Sequence, residues 1–211
     1  MPDLLDLLRT RRLVAVVRGA DPEASLRTVL TLVEAGVELV EVSLSGRDAL
    51  EVITRARAEL GPNAPLGAGT VLTADQARAA QRAGADFVVT PGLGEGVVEA
   101  HAIGLPTLVG ALTPSEIIAA VRSGASAVKI FPAAAVGGPD YLRALRGPFP
   151  DLPLVPVGGV DADAARRYLA DGATAVGVGS PLVGDAADGG DQAALRDRAQ
   201  TYLELVGGGT P

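Results

Sequence analysis

Eight short apolar runs recur along this chain, roughly one every 20 residues, and helical patterns fill the gaps between them. The runs are LVAVV (13–17), VELVEV (37–42), PLGAG (65–69), DFVVT (86–90), PTLVG (106–110), SAVKIF (126–131), LPLVPV (152–157) and TAVGVG (174–179). Most are continuously apolar rather than alternating, which marks strands buried on both faces. Such strands lie parallel, with helices packed over them. Eight strand–helix units in one chain predict an α/β fold, a (β/α)8 TIM barrel. At 211 residues it is short, near the ~200-residue lower limit for this architecture. An open doubly wound sheet is the rival, and strand count and spacing favour closure.

The helices carry their own punctuation. DPEASLRTVLTLVEAG opens on an Asp21-Pro22 cap and stops at Gly36. Thr73 caps TADQARAAQRAG. In TPSEIIAAVRSG, Thr113 is the cap, Pro114 the first helical residue and Glu116 the reciprocal partner. DADAARRYLADG repeats the scheme and stops at Gly172. The turns EAGVE, RAGAD, RSGAS and ADGAT share a glycine. It reads as a left-handed C-cap on the N-terminal face of the barrel. LLDLLRTR, ahead of the first strand, reads as an extra helix within residues 1–12 that caps the barrel bottom. No linker or second domain is visible, so residues 1–211 form one domain, with 207–211 expected to fray.

Hydrophobic residues make up 48% and aromatics 3%, so the core is built from Ala, Val and Leu. The net charge of −7 gives no electrostatic reason to expect nucleic acid or an anionic membrane as partner. There is no cysteine, which excludes disulfides, thiolate metal sites and cysteine nucleophiles. His101 is the only histidine, which argues against a His-based metal site or a Ser-His-Asp triad. It is expected on a helix surface, without a role. No apolar run long enough to span a bilayer and no charged leader occurs, so a soluble cytoplasmic protein is expected.

Active sites of this architecture lie at the C-terminal strand ends. Those positions hold Arg18, Glu41, Thr70, Thr90-Pro91-Gly92, Gly110, Lys129, Gly158-Gly159 and Gly179-Ser180. Lys129 is the only lysine in the chain, beside 17 arginines. An ammonium between Val128 and Ile130 is poorly solvated. As a free amine, Lys129 can attack a carbonyl and form a Schiff base, whose iminium withdraws electrons from a neighbouring C–C bond. The bland alternative is a lysine snorkelling into water or paired with a carboxylate. Glu41 suits a general acid/base with a pKa raised by burial; the alternative is an ion pair with Arg18. Gly158, Gly159, Gly179 and Ser180 follow strands seven and eight, the usual phosphate site of this fold. Their alternative is simple tight turns.

The segments GAGTVL (67–72), VTPG (89–92), LTPSE (112–116), KIFPA (129–133) and PVGGV (156–160) fall in order. Together they resemble the 2-keto-3-deoxy-6-phosphogluconate aldolases and the related 2-keto-3-deoxy-6-phosphogalactonate and 4-hydroxy-2-oxoglutarate aldolases. The resemblance spans nearly the whole chain. It implies a class I, metal-independent aldolase without cofactor, homotrimeric, releasing pyruvate and glyceraldehyde 3-phosphate from a phosphorylated keto acid. It makes Lys129 the Schiff-base lysine and Glu41 the acid/base. Thr70 and Pro91 then line the pyruvyl end, Phe131 packs against the reacting carbons, and Gly158, Gly159 and Ser180 hold the phosphate.

Two positions depart from the phosphogluconate pattern. Ser45 stands where those enzymes commonly carry an arginine, and Val157 where they carry a threonine. Both resemble the phosphogalactonate branch. Arg18 is then the candidate clamp for the substrate carboxylate. The competing readings are a phosphate-binding barrel isomerase, epimerase or synthase working without an iminium, and a non-catalytic barrel.

Overall fold

The computed structural model describes residues 3–207. Of the tail expected to fray, 208–211 lie outside the described residues, and Gly207 is the last residue of a helix. Helix α1 (Leu4–Arg11) precedes the barrel. The strands are β1 (Leu13–Val17), β2 (Val40–Ser43), β3 (Leu66–Gly69), β4 (Phe87–Val89), β5 (Thr107–Ala111), β6 (Ala127–Ile130), β7 (Leu154–Pro156) and β8 (Val176–Val178). The helices between them are α2 (Pro22–Glu34), α3 (Ala49–Leu60), α4 (Ala74–Ala83), α5 (Glu95–Ala102), α6 (Pro114–Arg122), α7 (Pro139–Arg146) and α8 (Ala162–Ala170). A short α9 (Ser180–Val183) and a long α10 (Gln192–Gly207) follow β8.

The caps form as their residues dictate. Asp21 accepts from Ala24 N–H (3.1 Å) and Asp161 from Ala164 N–H (2.8 Å). Thr73 with Gln76, and Thr113 with Glu116, make reciprocal capping boxes. The glycines at 36, 84, 124 and 172 all have positive φ. They end their helices in the left-handed conformation.

All strand pairs are parallel, in the order β7-β6-β5-β4-β3-β2-β1-β8. The seam between β7 and β8 is joined more sparsely, by a bridge between Val157 and Gly177 and by Thr174 N–H donating to Leu154 O (2.9 Å). The result is a nearly closed (β/α)8 barrel.

Two cores separate the faces of each strand. Leu13, Ala15, Val17, Val40, Val42, Val128 and Ile130 belong to the outer layer, packed against the helices. Val14, Leu39, Phe87, Val89, Leu108, Ala127, Val155 and Ala175 fill the interior. Leu4, Leu7 and Leu8 of α1 belong to that interior cluster, so α1 plugs the barrel. Burying each leucine is worth roughly 1.5–3 kcal/mol relative to exposure, which is enough to dock a helix this short.

Candidate active site

The division into two cores decides where β2 and β6 point their polar residues. In β2, Val40 and Val42 face outward and Leu39, just before the strand, faces the interior. Side chains alternate along a strand, so Glu41 and Ser43 point into the barrel. In β6, Val128 and Ile130 face outward and Ala127 inward, which turns Lys129 inward as well. Glu41 is 2% exposed and Lys129 6%. The amine and the carboxyl thus share the upper interior of one barrel.

Burial pushes the Glu41 carboxyl above its ordinary range, because the carboxylate loses its hydration. The positive charge of Lys129, then that of Arg18, works against this without cancelling it. Among the described residues, Glu41 forms no ion pair with Arg18: the Arg18 Nε–H donates instead to Ser43 Oγ (3.4 Å). Nor does any carboxylate pair directly with Lys129 among them. Lys129 Nζ lies 5.0 Å from the centroid of the Phe131 ring. Gly110 and Val155 flank Lys129 on the adjacent strands. Gly110 leaves the space into which the backbone of Pro91 and Gly92 packs.

Ser43, buried at the end of β2, links the site laterally. Its hydroxyl bonds Thr70 Oγ1 (2.7 Å) and Ser45 Oγ (2.8 Å) in addition to Arg18. Thr70 has φ +59°, a left-handed conformation that a β-branched residue rarely adopts. The second apolar run ends at Val42, one residue short of the strand, and so leaves Ser43 outside it. Its signal is the two-residue spacing from Glu41, which puts both on one face.

A cavity of about 420 Å³ opens beside this cluster. Arg18, Phe131, Val157, Gly158, Gly159, Gly179 and Ser180 line it. Gly158 (φ +98°) and Gly159 (φ +70°) adopt left-handed conformations that only glycine takes without strain. Pro91 does not line this cavity and borders another, of about 250 Å³, with Leu72 and Leu93. His101, expected on the surface, is half-buried on α5 with its Nε2 2.8 Å from Thr107 Oγ1. The buried hydroxyl at the start of β5 holds it there. Among the described residues, no group of three His, Asp or Glu side chains is placed to hold a metal ion. No helix among them is long and apolar enough to cross a membrane.

Known proteins give this geometry its context. The model of the KDPG and KHG aldolase family matches residues 4–196. The 2-dehydro-3-deoxy-phosphogluconate aldolase of Treponema pallidum (strain Nichols) is 34% identical over 210 residues, 98% of this chain and 99% of its own. The 2-dehydro-3-deoxy-6-phosphogalactonate aldolase of Escherichia coli (strain K12) is 34% identical over 172 residues, 81% of this chain and 83% of its own. A crystal structure of KDPG aldolase from Legionella pneumophila, with pyruvate captured as a covalent carbinolamine, superposes with a TM-score of 0.85. It shares 27% identity and covers 92% of this chain and 95% of its own.

Barrel, strand-end site and relatives define the class as a lyase of the aldolase type, which displaces the isomerase, epimerase and synthase readings. Within that class, the chain belongs to the KDPG and KHG aldolase family.

Proposed function

We propose that this enzyme is a Schiff-base, metal-independent aldolase cleaving a 2-keto-3-deoxy-6-phospho sugar acid to pyruvate and glyceraldehyde 3-phosphate. The observation that carries the reading is the placement of Lys129 and Glu41, a buried amine and a buried carboxyl facing the same barrel interior. The carbinolamine in the Legionella relative supports covalent attachment of pyruvate.

Lys129 Nζ attacks the C2 carbonyl of the substrate, forming a carbinolamine. Glu41 in its protonated form, which burial favours, delivers a proton to the departing hydroxyl, and water leaves. The resulting carboxylate then takes the proton of the C4 hydroxyl. The C3–C4 bond breaks, its electron pair flows into the iminium, and glyceraldehyde 3-phosphate departs. The enamine left on Lys129 is protonated at C3, and water hydrolyses the imine to give pyruvate and the free amine. Phe131 forms a wall beside the reacting carbons. Arg18 and Thr70 bind the carboxylate end, and the backbone of Pro91, packed on Gly110 beside Lys129, closes the pyruvyl side. Gly158, Gly159, Gly179 and Ser180 cradle the phosphate through N–H groups and a hydroxyl. 4-Hydroxy-2-oxoglutarate enters the same site, its second carboxylate attached directly to C4 and stopping short of the phosphate cradle.

Ser45 and Val157 support the phosphogalactonate branch. The ratio of kcat/KM for the two epimeric phospho sugar acids tests that choice. The enzyme is further proposed to be a homotrimer. The exposed Leu72, Leu93 and Val98 support an association surface, and sedimentation tests it.

The mechanism is tested by borohydride reduction in the presence of pyruvate. A stable adduct on Lys129, and cleavage unaffected by EDTA, are expected. No adduct, or cleavage retained by Lys129→Ala, overturns the mechanism.

A further inference from the structure

We propose that Ser43 is the positioning residue of the carboxylate subsite, and that Ser45, Ser43 and Thr70 form a directional hydroxyl relay ending on the substrate. This rests on the aldolase reading above and adds to it the group that aims Thr70 and Arg18.

The argument is a count of hydrogen-bonding capacity. A serine hydroxyl carries one proton to donate and two lone pairs to accept with. Ser43 Oγ has three partners: Arg18 Nε at 3.4 Å, Ser45 Oγ at 2.8 Å and Thr70 Oγ1 at 2.7 Å. Arg18 can only donate, so it occupies one lone pair. One donor and one acceptor function remain for Ser45 and Thr70. Whichever hydroxyl donates to Ser43 has spent its proton. Whichever accepts from Ser43 keeps its proton free for a ligand.

Position and charge choose between the two directions. Ser45 is exposed and Thr70 half-buried. Water can bond Ser45 on its outer side, whereas Thr70 borders the interior that holds Lys129 and Glu41. A donor at Thr70 meets an anion arriving there. The order Ser45 to Ser43 to Thr70 therefore leaves the Thr70 O–H directed at the carboxylate, next to the outer N–H groups of Arg18. The strained backbone of Thr70 (φ +59°) persists because a fixed partner holds its side chain. Ser43 is that partner. The three partners use up the hydrogen-bonding capacity of the Ser43 hydroxyl, so it has none left for substrate and acts through its neighbours.

The test compares Lys129 trapping by borohydride with pyruvate and with methyl pyruvate, which keeps the ketone and lacks the charge. Ser43→Ala is expected to raise the half-trapping concentration of pyruvate roughly 10-fold and that of methyl pyruvate less than about 2-fold. Ser43→Thr is expected to restore the pyruvate value to within about 3-fold. Ser45→Ala, at an exposed position, guards against misfolding and is expected to weaken pyruvate alone, roughly 3-fold. A pyruvate-to-methyl-pyruvate ratio unchanged in both alanine variants overturns the relay while leaving the aldolase intact. Failure of the unaltered enzyme to trap pyruvate on Lys129 overturns the aldolase mechanism and the relay with it.

Discussion

The carboxyl of Glu41 occupies the space that a side chain on Gly69 would need: a Cβ built at Gly69 would lie 2.7 Å from Glu41 Oε1 and 2.9 Å from Cδ. Gly69 follows Glu41 across the β2–β3 pair, where Ser43 is its direct partner. The strand is shaped to receive the acid.

Gly69→Ala is therefore expected to displace Glu41, the proposed acid/base, while leaving Lys129 in place. Its kcat should fall roughly 10- to 100-fold, as a misplacement of about 1 Å does. Overpacking should destabilise the fold by about 1–3 kcal/mol. Steady-state kinetics beside thermal melts separate the two effects. An unchanged kcat would show that the carboxyl is free to relocate.

Glu41 should also leave a mark on stability against pH. Its pKa in the fold is raised by burial, above the unfolded value of about 4.3. Between those values the native state retains a proton that the unfolded chain has released, so stability falls as pH rises through the window. Glu41→Gln has no such proton. The two proteins should be closest in urea denaturation near about pH 4, and the glutamine variant should gain relative to the parent toward about pH 8. The opposite trend would contradict burial as the dominant cause.

Lys129→Arg places a permanent positive charge there and removes the proposed nucleophile, because a guanidinium scarcely deprotonates. Cleavage should drop by at least about 10³-fold, and the borohydride adduct should vanish from the mass spectrum. That outcome would show that charge alone at position 129 does not suffice.

The glycine turn after β7 should matter only for the phosphate arm. A Cβ on Gly159 would lie 2.7 Å from the Ala134 Cβ, on a backbone with φ +70°. Gly159→Ala is expected to raise KM for the phosphorylated substrate roughly 10-fold. KM for 4-hydroxy-2-oxoglutarate, which has no phosphate, should rise less. Equal effects on both would place the phosphate elsewhere.

Arg57 ties the segments that precede β3 and β4 to α3. From α3 it donates to the carbonyls of Gly61 (2.6 Å), Ala64 (2.9 Å) and Gly84 (3.0 Å) and pairs with Asp86. Asp86 in turn accepts from Leu66 N–H (3.0 Å). Arg57→Ala leaves these acceptors without their donor at the N-terminal side of β3 and β4. A loss of about 2–4 kcal/mol in denaturant unfolding is expected, with kcat per folded molecule unchanged.

Much of the molecule can be read from local pattern. The apolar runs place the eight strands to within three residues at each end, and Asp21, Thr73, Thr113 and Asp161 announce their helices through capping chemistry that acts over three or four residues. The strand-end rule gathers Arg18, Gly158, Gly159, Gly179 and Ser180 around one cavity, although they come from three separate stretches of chain, and Phe131 and Val157, named through the family resemblance, line it too. Lys129 stands out by residue type within an apolar strand. Ser43 did not stand out, since a serine at a strand end looks like the start of a turn.

The sequence by itself determined the alternation of strands and helices, their caps and the residue types at the strand ends, because each depends on neighbours a few positions away. Only the tertiary structure decided which face of each strand is the inside. Parallel strands buried on both faces carry apolar residues at odd and even positions alike, so polarity does not distinguish interior from exterior. The closing of the barrel makes that distinction. It turns Glu41, Ser43 and Lys129 to one side, leaves room for the Glu41 carboxyl at Gly69, and holds Arg18 on the Ser43 hydroxyl rather than on the acid.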